Sequence, residues 1–264
     1  MAGAAHETWV LRWPPRPAAA VRLFCFPYAG GSAALYRSWS DALPALDVCA
    51  VELPGHGARR AEPPAPDLAA LVDALAGGLA PLLDRPFALF GFSFGALVAF
   101  ELARRLRRER RPEPVALVAC SFPAPQATPP LPGPETSDDE LLAFLGSLAA
   151  GPGELGFRLD DPELLAFWLP VLRGDLRLYA SYRYVDEPPL DCPLAVFGGS
   201  ADPLLRAADL GRWEEQTTAA FWLQLLPTGH YFLHSHRALL LRLVAKQLAA
   251  IAPGAASAAE ERDT

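Results

Sequence analysis

The segment Phe87-Ala-Leu-Phe-Gly-Phe-Ser-Phe-Gly-Ala96 joins a short apolar run to a region in which apolar residues recur at helical spacing. Its portion from Gly91 to Gly95 is a G-x-S-x-G motif, which between a strand and a helix is typical of a nucleophile elbow. On such a turn the Ser93 hydroxyl is exposed, and the following helix points backbone N–H groups at developing negative charge. Because the bare motif also occurs in ordinary turns, the prediction depends on the flanking strand and helix.

The chain on either side of this motif predicts a doubly wound α/β fold. Apolar runs of strand length alternate with stretches of helical periodicity, which is typical of a mostly parallel sheet with helices on both faces. The predicted strands are 8–13 at an edge and 21–26, 46–53, 87–90, 115–120, 193–197 and 221–226 in the core. The helices predicted between them are 36–43, one starting near 67, 94–110, 207–217 and 235–251.

The alternation stops near residue 123, where a helical segment rich in large apolar side chains begins. Ser137 to Glu140 is a capping-box sequence, and Asp161-Pro162 is typical of an N-cap followed by the first helical residue. We expect Pro170 and Gly174 to bend or interrupt the second helix. The segment suits either a helical subdomain with its own core or a lid over an apolar substrate channel. The predicted domains are an α/β core of residues 1–122 and 191–251, a helical lid insertion at 123–190 and a disordered tail at 252–264.

Length and composition limit the kind of protein this chain can be. It has 264 residues, of which just over half are hydrophobic and a fifth are charged, enough for one α/β domain with an insertion. The formal net charge of -7 argues against a nucleic-acid binder. No apolar run nears the ~20 residues that span a bilayer. The N-terminal residues also lack the apolar run of a signal peptide, so we expect a cytoplasmic protein that does not bind membranes. Four cysteines without metal-like spacing are interpreted as reduced core residues: Cys25, Cys49, Cys120 and Cys192.

A serine hydroxyl needs a base to become nucleophilic, and that base needs an orienting carboxylate. Doubly wound hydrolases supply these groups in the chain order Ser, then Asp or Glu, then His. Ser93, Asp202 and His230 occur in that order, each in a loop just after a predicted strand. We therefore expect all three at the carboxyl ends of the parallel strands, where such folds place their sites.

Other histidines and aspartates fit this pattern less well. His6 and His56 precede the serine, and we interpret His56 as a structural residue of a turn. His234 and His236 stand at the entry of the last helix and are interpreted as surface or supporting groups. Of the alternative acids, two belong to the insertion and one precedes its strand: Asp175, Asp186 and Asp191.

An oxyanion hole needs two N–H donors aimed at the developing tetrahedral oxygen. The first predicted donor is the N–H of Phe94, directly after the nucleophile. The second would come from the loop Tyr28-Ala-Gly-Gly31 after the strand 21–26. A flexible turn is the alternative interpretation of the glycine pair in this loop. A dinucleotide-binding loop is excluded, since no G-x-G-x-x-G follows the strand.

Five segments carry a resemblance to a known family: Phe24-Cys-Phe-Pro-Tyr-Ala-Gly-Gly-Ser32, Glu52-Leu-Pro-Gly-His-Gly-Ala-Arg-Arg60, Gly91-Phe-Ser-Phe-Gly-Ala96, Phe197-Gly-Gly-Ser-Ala-Asp-Pro203 and Gly229-His-Tyr-Phe-Leu233. In them the chain resembles the type II thioesterases that accompany polyketide and nonribosomal peptide synthetases. That family is related to the thioesterase that releases medium-chain fatty acids. The resemblance spans residues 9 to 250, with the insertion as its least typical part. The second segment departs from the family's form at His56, where arginine is expected.

The resemblance implies an α/β-hydrolase fold with a helical lid between the fifth parallel strand and the strand before Asp202. It implies hydrolysis of acyl thioesters on the phosphopantetheine arms of acyl or peptidyl carrier proteins. Since the chain has no carrier-type Asp-Ser-Leu attachment site, we expect it to act in trans on a separate carrier, as a monomer without metal or cofactor. Ser93 would attack the thioester, with His230 as its base. By motif match, the backbone N–H groups of Ala29 and Phe94 would form the oxyanion hole.

Three other functions stay open at this point. A chain-releasing medium-chain fatty acyl thioesterase would share the chemistry, a general carboxylesterase would prefer oxygen esters, and a carrier-binding module would lack a working triad. Because carrier proteins are usually acidic and this chain is net negative, docking would need a local basic surface. Arg59-Arg60 and the cluster Arg104–Arg111 are the two candidates.

Overall fold

A computed structural model describes residues 9–151, 154, 156 and 158–251 of the chain. In chain order the strands are β1 (Val10–Leu11), β2 (Val21–Phe26), β3 (Leu46–Val51), β4 (Phe87–Phe92), β5 (Ala116–Cys120), β6 (Leu194–Gly199) and β7 (Phe221–Leu226). They form one sheet in the order β1-β3-β2-β4-β5-β6-β7. β1 is antiparallel to β3, and the other neighbouring pairs are parallel. The predicted mostly parallel sheet is confirmed.

The described residues also form helices on both faces of this sheet. The α-helices are α1 (Trp39–Ala42), α2 (Leu68–Leu79), α3 (Phe94–Arg108), α4 (Asp138–Ser147), α5 (Pro162–Ser181), α6 (Ala207–Gly211), α7 (Phe232–Ser235) and α8 (Arg237–Ile251). Short 3-10 turns lie at Ala33–Tyr36, Gly57–Arg59, Ala80–Leu82, Pro125–Ala127 and Arg212–Gln216. No helix in the part of the chain that the structure describes is long and apolar enough to cross a membrane.

Two hydrophobic layers hold the sheet between the helices. Successive residues of β2 alternate between them: Phe24 packs on the α2 and α3 side, and its neighbours Leu23 and Cys25 pack on the α1 and α8 side. This alternation follows from the two-residue period of a strand, and both faces are apolar because helices cover both. All four cysteines are buried and free, as expected for core residues.

The insertion predicted at 123–190 lies between β5 and β6 and contains α4 and α5. The capping box at Ser137 and Glu140 is present. The N-cap at Asp161 is present too, its carboxylate accepting from the two backbone N–H groups that follow Pro162. Of the bend or interruption expected at Pro170 and Gly174, the interruption is absent, since α5 is one helix from Pro162 to Ser181. Pro170 removes one N–H, but the carbonyl that loses its partner belongs to exposed Ala166, where water can bind it.

Several predicted positions differ from the observed ones. The insertion follows the fourth parallel strand in chain order and not the fifth, because β1 is antiparallel. The predicted helix 36–43 is a 3-10 turn followed by α1, and the predicted helix 235–251 is divided into α7 and α8. The edge strand predicted at 8–13 pairs over two residues only. The predicted tail at 252–264 and His6 lie outside the described residues.

Candidate active site

Ser93 occupies the turn between β4 and α3, with backbone angles φ 52° and ψ -123°. This is a sparsely populated region for a residue with a side chain, and it costs on the order of 1–3 kcal/mol. The Ser93 N–H donates a 2.7 Å hydrogen bond to the carbonyl of Cys120, which fixes the turn to the neighbouring strand. A Cβ on Gly91 or on Gly95 would overlap backbone atoms, of the first turn of α3 and of Phe26 respectively. The two glycines thus permit the close strand–helix approach that an elbow requires.

The structure brings the three predicted triad residues together. The Nε2 atom of His230 lies 3.0 Å from Ser93 Oγ, and its Nδ1 atom lies 2.6 Å from Asp202 Oδ2. His230 and Asp202 are buried, whereas Ser93 is partly exposed. Since an ionised carboxylate can only accept, Nδ1 carries a proton, and in the neutral ring the lone pair of Nε2 faces the serine hydroxyl. A 3.0 Å bond from the Leu204 N–H to Asp202 Oδ1 orients the carboxylate.

The loop that carries His230 is held by Glu154, a residue of the insertion that sequence reasoning missed. Its Oε1 atom accepts from Thr228 Oγ1 at 2.7 Å, Gly229 N at 3.2 Å and Ser235 Oγ at 3.2 Å. Its Oε2 atom accepts from Ala150 N at 2.6 Å. Burial alone would raise the pKa of Glu154, but these hydrogen bonds bring its pKa below the ordinary value. Nothing in the sequence separates this glutamate from a surface one.

Backbone contacts fix the position of His230 further. Its N–H donates to the carbonyl of Leu148 at 3.1 Å, and its carbonyl accepts from Ser121 Oγ at 2.8 Å. Leu148 belongs to the insertion, while Ser121 follows β5 with a positive φ of 49°. The loop of the candidate base is therefore bound to both the insertion and the sheet.

The loop Tyr28–Gly31 is a turn held by hydrogen bonds. Gly30 has a φ of 76°, and the N–H of Gly31 donates to the carbonyl of Tyr28 at 2.8 Å. Both polar groups of Gly30 are bound by α5. Its N–H donates to Asp175 Oδ2 at 2.7 Å, and its carbonyl accepts from Trp168 Nε1 at 2.9 Å. Ala29 lies between Tyr28 and Gly30, and Phe94 is the first residue of α3, where backbone N–H groups lack helical partners.

The other sequence candidates lie away from Ser93 Oγ or serve other contacts. The Nε2 atom of His234 lies 3.0 Å from Tyr28 Oη, and burial lowers the pKa of this histidine. His56 pairs with Asp175 instead of with the serine, at 2.9 Å. Asp191 accepts a hydrogen bond from Thr218. Asp186 lies at the surface of the insertion, and His236 lies at the entry of α8. Among the described residues, no three His, Cys, Asp or Glu side chains form a group that could hold a metal ion.

The insertion presents apolar side chains next to these loops. One cluster, which packs against Ala29, has as its buried members Leu141, Leu145, Leu169, Leu172 and Leu176. A second joins Leu148 to Tyr231, the neighbour of His230. Apolar side chains of the insertion therefore pack against two loops of the candidate site, at Ala29 and at Tyr231.

Sheet order, the chain order Ser–Asp–His and the serine's turn are those of the α/β-hydrolases, and this class includes esterases, lipases and thioesterases. The match to known proteins narrows the class. Residues 21–248 match the thioesterase domain family, and the chain belongs to that family. It is a hydrolase that acts on thioesters.

Individual relatives agree with this assignment. The chain is 40% identical over 246 residues to the protein named linear gramicidin dehydrogenase LgrE of Brevibacillus parabrevis, with 91% of this chain and 92% of that protein covered. It is 32% identical over 228 residues to thioesterase PikA5 of Streptomyces venezuelae, with 86% and 80% covered. The solved type II thioesterase BorB of the borrelidin biosynthetic cluster is 37% identical, with a TM-score of 0.82 over 91% of this chain and 98% of that one.

These relatives confirm the resemblance to type II thioesterases of synthase pathways that the sequence segments indicate. The word dehydrogenase in the first name describes that relative alone. In this chain the loop after β2 has no G-x-G-x-x-G sequence for a dinucleotide.

Proposed function

We propose that this protein removes acyl groups from the phosphopantetheine arms of acyl or peptidyl carrier proteins, acting in trans as an editing enzyme of a polyketide or nonribosomal peptide synthase. The observation that carries the proposal is the hydrogen-bonded chain from Ser93 through His230 to Asp202 in a member of the thioesterase family. Relatives such as BorB, from a biosynthetic cluster, support the synthase context.

In the first half of the reaction, Ser93 Oγ attacks the thioester carbonyl carbon while its proton moves to His230 Nε2. The tetrahedral intermediate then loses the C–S bond, and the pantetheine sulfur leaves with that proton. Asp202 stays ionised throughout and stabilises the imidazolium that forms in between. The products of this half are the free carrier thiol and an acyl ester on Ser93.

In the second half, water takes the place of the thiol. His230 Nε2 accepts a proton from the water as its oxygen attacks the acyl carbon, and the same proton returns to Ser93 Oγ as the ester breaks. The free acid leaves, and the enzyme regains its starting protonation. In both halves the N–H groups of Phe94 and Ala29 would hold the oxyanion. This chemistry requires no metal or other cofactor.

The apolar surface of the insertion suits the acyl chain. The cluster beside Ala29 and the contact of Leu148 with Tyr231 flank the candidate triad from the side of the insertion. We propose that residues 123–190 form a lid and that the acyl chain lies against these side chains, which also keeps water from the thioester.

For the carrier, the two basic segments differ in how much of their charge is compensated. Arg59 is buried and bonded to Glu62. Arg60 is exposed, with its guanidinium 3.1 Å from the ring centre of Phe167, itself exposed on α5. The segment Arg104–Arg111 is paired with several acids: Asp73, Glu101, Glu109 and Glu187. We therefore favour Arg60 and the neighbouring end of α5 as the carrier contact of a monomeric enzyme.

The proposal is tested by the mass of a loaded carrier protein. The wild-type enzyme should remove the acyl mass from acyl-pantetheinyl carrier and should prefer this substrate to a p-nitrophenyl ester. Ser93→Ala should abolish turnover, and turnover retained by this variant contradicts the assignment of the triad. The matched control is Ser147→Ala, at an exposed serine whose hydroxyl donates to the carbonyl of Phe144 in its own helix; it should keep turnover. A preference for the oxygen ester indicates a carboxylesterase instead, and activity confined to medium-chain fatty acyl groups indicates a chain-releasing enzyme.

A further inference from the structure

A second buried histidine–aspartate pair joins three distant parts of the chain next to the candidate oxyanion loop. Asp175, in the middle of α5, accepts two hydrogen bonds on the same oxygen, Oδ2. One comes from the N–H of Gly30 at 2.7 Å, and the other from His56 Nε2 at 2.9 Å. Both side chains of the pair are nearly inaccessible, at 4% exposure for His56 and 2% for Asp175. The pair therefore lies inside the protein and connects the turn after β3, the insertion and the loop after β2.

The partners of His56 determine its protonation. Its Nδ1 atom lies 3.0 Å from the carbonyl oxygen of Pro54, and its Nε2 atom lies 2.9 Å from the Asp175 carboxylate. A carbonyl oxygen and an ionised carboxylate only accept, so beside this carboxylate both ring nitrogens donate. The geometry is that of a doubly protonated imidazolium. Burial alone would lower the pKa of His56, but Asp175 and the Pro54 carbonyl outweigh it and raise the pKa above 6.5.

The charges around this pair come from the turn that follows β3. Glu52 lies close enough to favour the imidazolium, and its own carboxylate accepts from backbone N–H groups at Ala33 and Ala58. Arg60 and Glu62 line a cavity of about 180 Å³ that adjoins both His56 and Asp175. Arg59 is bonded to Glu62 and to the carbonyl of Glu52. Of these carboxylates, Asp175 is the one that accepts a hydrogen bond from the His56 ring, and the positive ring balances its negative charge.

The hydrogen bond from the Gly30 N–H to Asp175, called the clamp below, acts on the peptide group next to the predicted oxyanion donor. Asp175 holds the Gly30 N–H and Trp168 holds the Gly30 carbonyl, so both peptide planes around Gly30 are fixed to α5. The Ala29 N–H belongs to the peptide group directly before them. The carbonyl of this same Tyr28–Ala29 peptide accepts from the Gly31 N–H at 2.8 Å, so the direction of the Ala29 N–H follows the placement of Gly30 and Gly31. Oxyanion donors act through exact placement, and displacement by about 1 Å can cost ~10²-fold in rate.

We propose that Asp175, charged and held in place by protonated His56, is a positioning residue of the thioester hydrolysis that aims the Ala29 N–H at the oxyanion. This inference rests on the proposed function of Ser93 and Ala29. Because the clamp comes from the same helix whose leucines pack against Ala29, the acyl chain and the oxyanion donor are positioned by one element. An acyl chain that displaces α5 would also displace the donor.

The test separates oxyanion contacts from ordinary binding. Octaneboronic acid forms a tetrahedral adduct on a reactive serine and uses the oxyanion hole, whereas S-octyl pantetheine, a thioether, has no carbonyl and reports chain binding alone. Inhibition by the first, binding of the second, and kcat and KM for octanoyl-pantetheine are measured on the whole enzyme. The variants are Asp175→Ala, which removes the clamp, and Asp175→Asn, whose single carboxamide oxygen can keep both hydrogen bonds without the charge.

Two further variants serve as controls. Asp47→Asn alters another fully buried carboxylate, which pairs with Arg22 at 3.0 Å. It lies near the amino ends of β2 and β3, away from the candidate site at their carboxyl ends. The substitution should lower thermal stability without changing kcat. His56→Arg replaces the imidazolium with a permanent cation, for which the adjoining cavity has room. It should stay within about threefold of the wild-type kcat, since Arg keeps the charge.

For Asp175→Ala we expect kcat to fall on the order of 10–100-fold, less than the 10²–10³-fold for loss of an oxyanion donor itself. Affinity for octaneboronic acid should fall by the same factor, with binding of S-octyl pantetheine unchanged. Asp175→Asn should show a smaller loss in the same two measurements, and it decides the matter if Asp175→Ala does not fold. Boronic acid affinity that is unchanged in both Asp175 variants, or that falls together with thioether binding, contradicts the positioning role of Asp175. A wild-type enzyme that ignores octaneboronic acid contradicts the proposed function instead.

Discussion

The protein contains two buried histidine–aspartate pairs, His230–Asp202 and His56–Asp175, whose histidines both follow the carboxyl ends of parallel strands. The two pairs differ in chemistry. The ring-to-carboxylate distances are 2.6 Å and 2.9 Å, and all four side chains are almost fully buried. The difference lies at the other ring nitrogen, which faces a serine hydroxyl in the first pair and a backbone carbonyl in the second. A hydroxyl can give its proton to a ring nitrogen, whereas a carbonyl oxygen can only accept. The first ring can therefore work as a base, and the second is a fixed cation.

The difference teaches that a carboxylate beside a histidine does not by itself identify a general base. The ring must also keep a lone pair that reaches the reacting proton. His230 meets this condition because its loop, after β7, reaches the serine turn after β4. His56 fails it because the turn after β3 folds its own carbonyl, that of Pro54, against the ring.

The strongest way to break this comparison is to remove each ring in turn. His230→Ala should lower kcat for a thioester substrate on the order of 10⁶-fold, since the base and its oriented proton are lost together. His56→Ala should lower kcat by about 100-fold or less, because only the aim of a donor is affected. Single-turnover hydrolysis of a loaded carrier measures both. Similar losses in the two variants would mean that the pairs do not differ in role.

The second test changes each carboxylate to its amide. Asp202→Asn should lower kcat about 10⁴-fold, because the amide stabilises the wrong tautomer of His230. Asp175→Asn should cost about tenfold, since its single oxygen can still accept from both Gly30 and His56. The loss at Asp202 should appear in kcat at unchanged KM, in steady-state assays with octanoyl-pantetheine. A larger loss at Asp175 than at Asp202 would reverse the assignment of the two pairs.

The first pair could be predicted from the sequence and the second could not. Ser93, Asp202 and His230 each follow an apolar strand pattern, and the carboxyl ends of parallel strands meet at one edge. The spacing of apolar residues therefore carries the information about their proximity. His56 and Asp175 are 119 residues apart, and Asp175 lies in a helix whose orientation no pattern specifies. Their contact depends on how the insertion packs against the core.

Inside the insertion, the predictions of helix N-caps are confirmed, because each cap involves only residues at one end of one helix. The caps at Ser137 and Asp161 depend on neighbours two or three residues away, so the sequence contains the whole interaction. The interruption expected at Pro170 did not occur, because an exposed helix face lets water take the place of the missing N–H. Glu154 could not be predicted for the same reason as His56, since its partners Thr228 and Ser235 are more than 70 residues away in the sequence, in the loop after β7 and in α7.

A third test asks whether the insertion also holds the base, as it holds the oxyanion loop. In Glu154→Gln the amide oxygen can keep the bonds from the His230 loop, but the amide N–H would face the N–H of Ala150. Loss of one buried hydrogen bond should lower the free energy of unfolding by about 1–2 kcal/mol, measured by urea denaturation. We expect kcat to fall about tenfold through displacement of the His230 loop.

The matched control for this test is Glu140→Gln, which alters an exposed carboxylate of the same insertion. Because its capping contact with Ser137 is exposed to solvent, the substitution should change the unfolding free energy much less than Glu154→Gln does and leave kcat unchanged. Equal losses of kcat in both variants would assign the effect to the insertion as a whole and not to the loop of the base.

The smallest expected effect is the pH dependence that the charge of His56 gives to kcat. The pKa of His56 is raised in the folded protein, so the stabilisation from its charge is complete below the unfolded value of about 6.5 and is lost as pH rises through the raised pKa. The wild-type kcat should therefore fall a few-fold on the alkaline side, whereas His56→Arg, with a guanidinium pKa above ~12, should not show this fall. Taking the ratio of the kcat values of the two enzymes isolates the contribution of the charge at position 56. A ratio that stays constant from about pH 6 to 10 would show that the charge of His56 does not reach the oxyanion loop.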